Sequence, residues 1–178
     1  MDTITETATC ITSALSVTYG VLPNGDILFP PTPHSITAEY SGDSVYARSV
    51  SSTVPQSVGQ ASTTTTLSSD VNPSVWGQSV TFTATVSAAA PGTGTPTGTV
   101  TFLDGGNSIG TGTLNGGVAT LTTSTLPAGN HTITTSYGGD GNFNTSNGSL
   151  TGNPQVVNKA STSTSVSSSL SPSSYGQS

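Results

Sequence analysis

The chain of 178 residues carries two basic residues against eight acidic ones, and its formal net charge is −6. Charged residues make up 6% of the chain, far below the roughly 25% of ordinary soluble domains. The two cations, Arg48 and Lys159, stand alone, so the clustered Lys and Arg that nucleic acids and anionic lipids require are missing. The single cysteine, Cys10, excludes an intrachain disulfide and a cysteine-based zinc cluster.

The chain contains 34 threonines, 30 serines, 21 glycines and 11 prolines. This mixture favours turns and short strands over long helices. No apolar run reaches the roughly 18 residues of a membrane span, and the first six residues lack the basic region of a signal peptide. A disordered Ser/Thr linker is the alternative interpretation of this composition. The regular spacing of the apolar residues in the middle of the chain argues against it there.

Residues 79–87 predict the strongest strand, because Val80, Phe82, Ala84 and Val86 alternate strictly with polar residues. A period of two indicates a strand with one face inward and a threonine face in water. The other predicted strands, in chain order, are a weak edge strand at 63–67, a strand at 99–102, a short strand around Ile109 within 107–114, a strand at 118–123, a strand at 131–137 and a weak edge strand at 155–157.

Gly, Pro, Asn and Asp clusters separate these strands, and their Asn-Gly and Asp-Gly pairs suit tight hairpins. About seven short strands without any helical periodicity predict an all-β fold, an antiparallel sandwich of two sheets. A closed barrel is the alternative. We expect one apolar layer between the sheets, formed by Phe82, Val100, Phe102, Leu121, Ile133 and Tyr137.

The sequence repeats itself with an offset of about 97 residues, which becomes about 99 past residue 50. This period is the length of one sandwich domain and predicts a tandem array. Residues shared by both copies more often serve the fold than a unique active site. The repeat predicts a partial preceding unit at 1–60 (with 1–19 unassigned), a complete unit at 61–158, and the first strand of a truncated following unit at 159–178.

Several blocks of the complete unit resemble the bacterial Ig-like domain of the group 3 type. The resemblance covers residues 62–157 fully, 20–61 in part and 159–178 as a start. The blocks that carry it are Thr64-Thr65-Thr66-Leu67, Asn72-Pro73-Ser74, residues 77–86, residues 98–102, residues 123–129, and His131-Thr132-Ile133-Thr134 with Tyr137, Gly139 and Asp140.

The resemblance implies an Ig-like sandwich found in tandem in large secreted or surface-attached bacterial proteins. Such units serve as spacers, stalks or adhesive modules, so the implied location is extracellular or at the cell surface. Neighbouring Ig-like repeats are the implied partners, with cell-surface glycans or proteins as further ones. The family offers no catalytic residues to carry over.

Two residue types recur at equivalent repeat positions and are the first candidates for chemistry. His131 and His34 each begin a strand after a turn that contains proline, and we expect a structural corner residue there, with a metal or catalytic role as the alternative. Asp140 and Asp43 each lie in a glycine-rich turn. We expect their carboxylates to cap local N–H groups, with a calcium site near Asp140 as the alternative.

Trp76 has Tyr175 as its counterpart, and we expect it to cover one end of the sandwich; sugar stacking is the alternative. Cys10 lies outside the repeated region and has no expected role. Lys159 lies in a junction, so it is no candidate for a Lys–Asn cross-link.

We expect no enzymatic activity and no cofactor or metal. Each histidine stands beside no paired acid in the sequence, and the three acids of the complete unit, Asp70, Asp104 and Asp140, all fall in predicted turns. The sequence therefore predicts a structural spacer repeat of a bacterial surface or secreted protein. The alternative is a carbohydrate- or protein-binding accessory module of a larger secreted enzyme or adhesin.

Overall fold

The computed structural model of the chain describes residues 20–21, 27–28, 33–169 and 171–176, and every regular element in these residues is a β-strand. Cys10 and the unassigned residues 1–19 lie outside the described part. The described residues before residue 60 contain six short strands: β1 (Gly20–Val21), β2 (Ile27–Leu28), β3 (His34–Ile36), β4 (Glu39–Tyr40), β5 (Ser49–Val50) and β6 (Val54–Gln56).

Ten further strands form the complete unit. They are β7 (Thr63–Ser69), β8 (Ser74–Val75), β9 (Val80–Ala88), β10 (Thr99–Asp104), β11 (Asn107–Thr113), β12 (Val118–Thr123), β13 (Gly129–His131), β14 (Ile133–Tyr137), β15 (Ser146–Ser149) and β16 (Gln155–Asn158).

Two antiparallel sheets face each other in this unit. Sheet I has the order β12-β9-β7, and sheet II has the order β11-β10-β14-β15. A third group, β13-β16-β8, contains a parallel pairing of β16 with β8. Both main sheets are open at their edges, which gives a sandwich and not a closed barrel. This strand order is that of an immunoglobulin-like sandwich and confirms the predicted fold class.

Strand β9 shows why the sequence folds this way. Val80, Phe82, Ala84 and Val86 are buried, while the threonines between them lie on the outer face of sheet I. The alternation of side chains along a strand places every second residue in the core. Because β9 pairs with β7 on one side and β12 on the other, its apolar face lies at the centre of the sheet.

The predicted apolar layer is confirmed. Phe82, Phe102 and Tyr137 are fully buried, as are Val100 and Ile133. Leu121 is partly buried and packs against this core. A Cβ built on Gly110 of β11 would lie 2.6 Å from Leu121 Cδ1. Leu121 therefore packs over the glycine at the margin of the core.

Other sequence-based boundaries also change. The strand predicted at 131–137 divides, because β13 pairs with β16 whereas β14 pairs with β10 and β15. The strand at 155–157 was predicted to lie at the edge of a sheet, and this position was wrong, because β16 lies between β13 and β8. Strands β8 and β15 were not predicted. Their sequences, Ser-Val and Ser-Asn-Gly-Ser, show no alternation of apolar residues.

The pairing of strands repeats between the two copies. Tyr40 lies opposite Ser49 in β4–β5, and Tyr137 lies opposite Ser146 in β14–β15. Likewise His34 lies opposite Gln56, and His131 lies opposite Gln155. Residues 159–169 and 171–176 form no strand. Within the described residues no helix has the length and apolar character to cross a membrane.

We expect Phe102→Ala to lower the free energy of unfolding by about 3–5 kcal/mol, because it removes a fully buried ring from a packed core. Urea unfolding of the chain followed by far-UV circular dichroism measures this loss. The exposed Thr120→Ala is the matched control and should change stability by less than about 0.5 kcal/mol. Equal effects of the two substitutions would contradict the core assignment.

Candidate functional site

His131 lies where β13 ends, on the inner side of the sandwich, and only 7% of it is exposed. Its Nδ1 lies 2.6 Å from Oδ2 of Asp104, and its Nε2 lies 2.8 Å from the carbonyl oxygen of Pro127. Asp104 is the last residue of β10 and pairs with Ile133 across sheet II. The imidazole therefore joins the 127–130 turn to the end of a strand in sheet II, as expected for a corner residue.

The Asp104 contact corrects two sequence-based expectations. Asp104 does not lie in a turn, and His131 does have a paired acid. Both ring nitrogens face acceptors, and only the protonated imidazolium can donate to both at once. Burial on its own would lower the pKa of His131, but the hydrogen bonds to Pro127 and Asp104 and the charge of the carboxylate outweigh it and raise the pKa.

The same geometry limits what His131 can do chemically. A histidine that activates a nucleophile needs one ring nitrogen free to accept a proton from a hydroxyl or thiol. Here Nε2 is directed to a backbone carbonyl, which leaves no position for a substrate group. The His131–Asp104 pair is thus built to hold two elements together. No sequence pattern pointed to Asp104 as its partner.

Asp140 organises the turn between β14 and β15. Its Oδ1 accepts the N–H groups of Asn142 (2.8 Å) and Phe143 (2.9 Å). Its Oδ2 accepts the N–H (2.9 Å) and the hydroxyl (2.7 Å) of Thr97, in the loop between β9 and β10. In addition, Gln60 Nε2 donates to the Asp140 carbonyl oxygen at 2.7 Å. One residue therefore connects two loops and the segment that leads into the unit.

The first copy contains the same turn. Asp43 Oδ1 accepts the N–H groups of Val45 and Tyr46, both at 2.7 Å. The preceding glycines, Gly42 and Gly139, have φ values of +83° and +79°, a region that side chains disfavour. A Cβ on Gly139 would lie 2.8 Å from the carbonyl oxygen of Phe143. The glycine thus lets the turn close around the carboxylate, and the expected capping role is confirmed in both copies.

The calcium alternative does not match this donor set. Both Asp140 oxygens already accept two hydrogen bonds each, whereas calcium requires six to eight oxygen ligands and usually several carboxylates. In the described part of the chain no three His, Cys, Asp or Glu side chains form a group that could hold a metal ion. Burial alone would raise the pKa of Asp140, but the hydrogen bonds from Thr97, Asn142 and Phe143 outweigh it and lower the pKa.

Tyr137 lies beside this turn with its ring fully buried. Its hydroxyl forms no hydrogen bond of good geometry, although it lies near the Asp140 carboxylate and the Thr97 backbone. Burial, and next the negative charge of Asp140, raise the pKa of Tyr137 to about 12. The phenol therefore stays neutral at physiological pH and serves as part of the core.

Trp76 does not cover the end of the sandwich as expected, because 60% of it is exposed. It follows β8, and its backbone N–H donates to the carbonyl oxygen of Asn158 at 2.8 Å. Its repeat counterpart Tyr175 is fully exposed as well. Short β8 pairs with the end of β16, so the residue after it projects past the apolar layer. Lys159 follows β16 directly and is not part of a strand.

We expect the contribution of His131 to stability to be largest at acidic pH. The folded-state pKa is raised, so the stabilisation is fully present below the unfolded value of about 6.5 and is lost as pH rises through the folded value. Unfolding free energies of the wild type and His131→Gln, measured across neutral pH, should converge as pH rises.

Asp104→Asn is the matched control for this titration, because it keeps the shape of the acceptor and removes its charge. The pH-dependent difference should shrink when His131→Gln is made in that background. A difference between wild type and His131→Gln that grows as pH rises would mean that burial, and not the pair with Asp104, governs the imidazole.

We expect Asp140→Ala to destabilise the unit by about 1–3 kcal/mol, because N–H groups of two loops lose their acceptor. Chelation of divalent cations should leave the unfolding curve of the wild type unchanged. Thermal unfolding with and without EDTA tests both points. Asp70→Ala is the comparison variant, since Asp70 accepts one backbone N–H, from Thr81, and should cost less. An unfolding temperature that rises with calcium in the wild type but not in Asp140→Ala would support a calcium site at Asp140 instead.

Comparison with known proteins identifies the family of the chain. The family model described as "Bacterial Ig-like domain (group 3)" matches residues 65–157. The search of curated proteins finds no match. Among solved structures, the chain is similar to the fibronectin(III)-like modules of Clostridium thermocellum CbhA, with 14% identity, a TM-score of 0.39, and coverage of 85% of this chain and 83% of that chain. Because the family model covers more than half of the residues, the chain belongs to the bacterial Ig-like domain (group 3) family.

Proposed function

We propose that the chain is a spacer segment of a bacterial surface or secreted protein, in which Ig-like units in tandem set the distance between functional parts. The observation that carries this proposal is the position of the two ends of the complete unit. The chain enters the sandwich at one end of its strands and leaves it at the other. Each added unit then lengthens the array.

The end where the chain enters is here called the N-terminal pole: Ala61, Ser62, residues 89–92 and residues 139–143. Ala61 exchanges backbone hydrogen bonds with Asn142 and Asn144, at 2.8 and 2.9 Å. Ala89 N–H donates to the carbonyl oxygen of Ser62 at 2.8 Å. From this pole β7 runs along β9, from Thr63 opposite Ala88 to Ser69 opposite Phe82.

The end where the chain leaves is here called the C-terminal pole: Ser74, Val75, Trp76 and the end of β16. β8 lies in the connection from β7 back to β9, so it belongs to the end opposite Ala88. Its parallel pairing with β16 places Asn158 beside Val75. The nine residues of β9 correspond to about 30 Å of strand, which sets the reach of one unit.

The surface of the unit also suits a spacer. Residues 62–158 contain three acids and no Lys or Arg, and the outer face of sheet I is formed largely by threonine and serine hydroxyls. Such a face is hydrated without attracting charged partners. Catalysis is not part of the proposal, since both ring nitrogens of His131 are already engaged, by the Asp104 carboxylate and by the Pro127 carbonyl oxygen. An extracellular or cell-surface location accompanies the proposal.

Small-angle scattering of proteins with one, two and three copies of residues 61–158 in repeat register tests the proposal. We expect the maximum dimension to grow by about 30 Å or more with each copy, the length of the β9 strand. The protein with one copy gives the starting value. Copies that fold but collapse side by side, with little growth in length, would contradict the spacer role.

A further inference from the structure

Trp76 is an exposed indole at the point where the chain leaves the unit. The backbone N–H of Trp76 donates to the carbonyl oxygen of Asn158, the last residue of β16, so the aromatic residue lies directly beside the exit. Val75 beside it is 42% exposed. Tryptophan is enriched at protein interfaces, because its large apolar ring gains from burial there. The place of Trp76 in the fold indicates which surface lies near it.

The N-terminal pole offers a complementary surface. The turn at residues 89–92 reads Ala-Ala-Pro-Gly, and its Ala90 and Pro91 are exposed. It carries no charge and no long side chain. The turn is held against the start of the unit, since Ala89 N–H donates to the Ser62 carbonyl and Gly92 packs on Ala61. A flat apolar turn of this kind accepts the face of an aromatic ring.

The length of the junction brings the two surfaces together. With the offset of 99, Ser161 is the counterpart of Ser62, so in a following unit of the same sequence the Ala-Ala-Pro-Gly turn would lie beside Ser161. Three residues lead from Asn158 to Ser161, and a fully extended chain of three residues spans about 10 Å. Because the backbone of Trp76 is bonded to Asn158, the indole is within side-chain reach of that turn, without a long flexible linker between them.

We infer that Trp76 and Val75 form a docking site for the next Ig-like unit, and that the indole packs on its Ala-Ala-Pro-Gly turn. The occupant is thus a second copy of the unit in the same chain, and the contact limits bending at each junction. Tyr175 gives the following copy an aromatic residue at the same position. The inference rests on the proposed spacer function and adds the contact that stiffens the array.

The chain contains a single tryptophan, so fluorescence reports this contact directly. The test protein consists of residues 1–160 followed in repeat register by a second copy of residues 62–158, with tyrosine in the second copy at the position of Trp76. Relative to the 178-residue chain, we expect emission at shorter wavelength and reduced quenching by acrylamide. The 178-residue chain serves as the reference for the exposed indole.

A charge placed in the second copy identifies the surface. Ala90→Glu in that copy should return emission and quenching to those of the 178-residue chain, because a carboxylate would lose its hydration against the apolar, electron-rich face of the indole. Thr122→Glu in the same copy is the matched control, since Thr122 is exposed on the outer face of sheet I, and it should leave the fluorescence of the tandem protein unchanged.

Scattering of the same tandem protein separates this inference from the proposed function. An extended two-unit particle in which Trp76 stays as exposed as in the 178-residue chain would overturn the docking site and leave the spacer role standing. Two folded units that collapse on each other would overturn the spacer role itself. Protection of Trp76 in the 178-residue chain by added oligosaccharides, with none from the second unit, would overturn the docking site in favour of sugar binding.

Discussion

The burial of one face of β9 is the interaction on which the rest of the sandwich depends. Val80, Phe82, Ala84 and Val86 project from the central strand of sheet I toward sheet II, where Phe102 and Tyr137 close the core. No disulfide is available within the unit, because the only cysteine is Cys10. The sandwich is therefore stabilised by apolar burial and by hydrogen bonds at the ends of its strands. Each of these hydrogen bonds fixes one loop against a strand or a second loop.

The three acids of the unit supply those hydrogen bonds. Asp70 accepts the N–H of Thr81 at the start of β9, Asp104 pairs with His131, and Asp140 accepts donors from two loops. Carboxylates that accept N–H donors are stronger acceptors than neutral groups. The three carboxylates of the unit thus accept hydrogen bonds from its own backbone, from one threonine hydroxyl and from one imidazole. The outer face of sheet I carries uncharged hydroxyl groups instead.

The sequence predicted the elements whose signal is local. The alternation in β9 and the glycine turn around Asp140 each lie within a few residues, so the strand, its buried face and the capping carboxylate could be inferred. Strand β15 has no such signal, because Ser-Asn-Gly-Ser becomes a strand by pairing with β14. The partner of His131 depends on the register that sets Asp104 opposite Ile133, and sequence spacing does not carry that register.

Trp76 shows the same limit for a functional residue. As a lone aromatic before a strong strand it suggested a cover for the core, yet β8 bonds to β16 and directs it outward at the exit of the chain. An apolar side chain that is exposed in one repeat can be buried by the next repeat, because neighbouring units in an array bury surface against each other. In the proposed array, the surface that would bury Trp76 belongs to the following copy, so one unit on its own does not contain it.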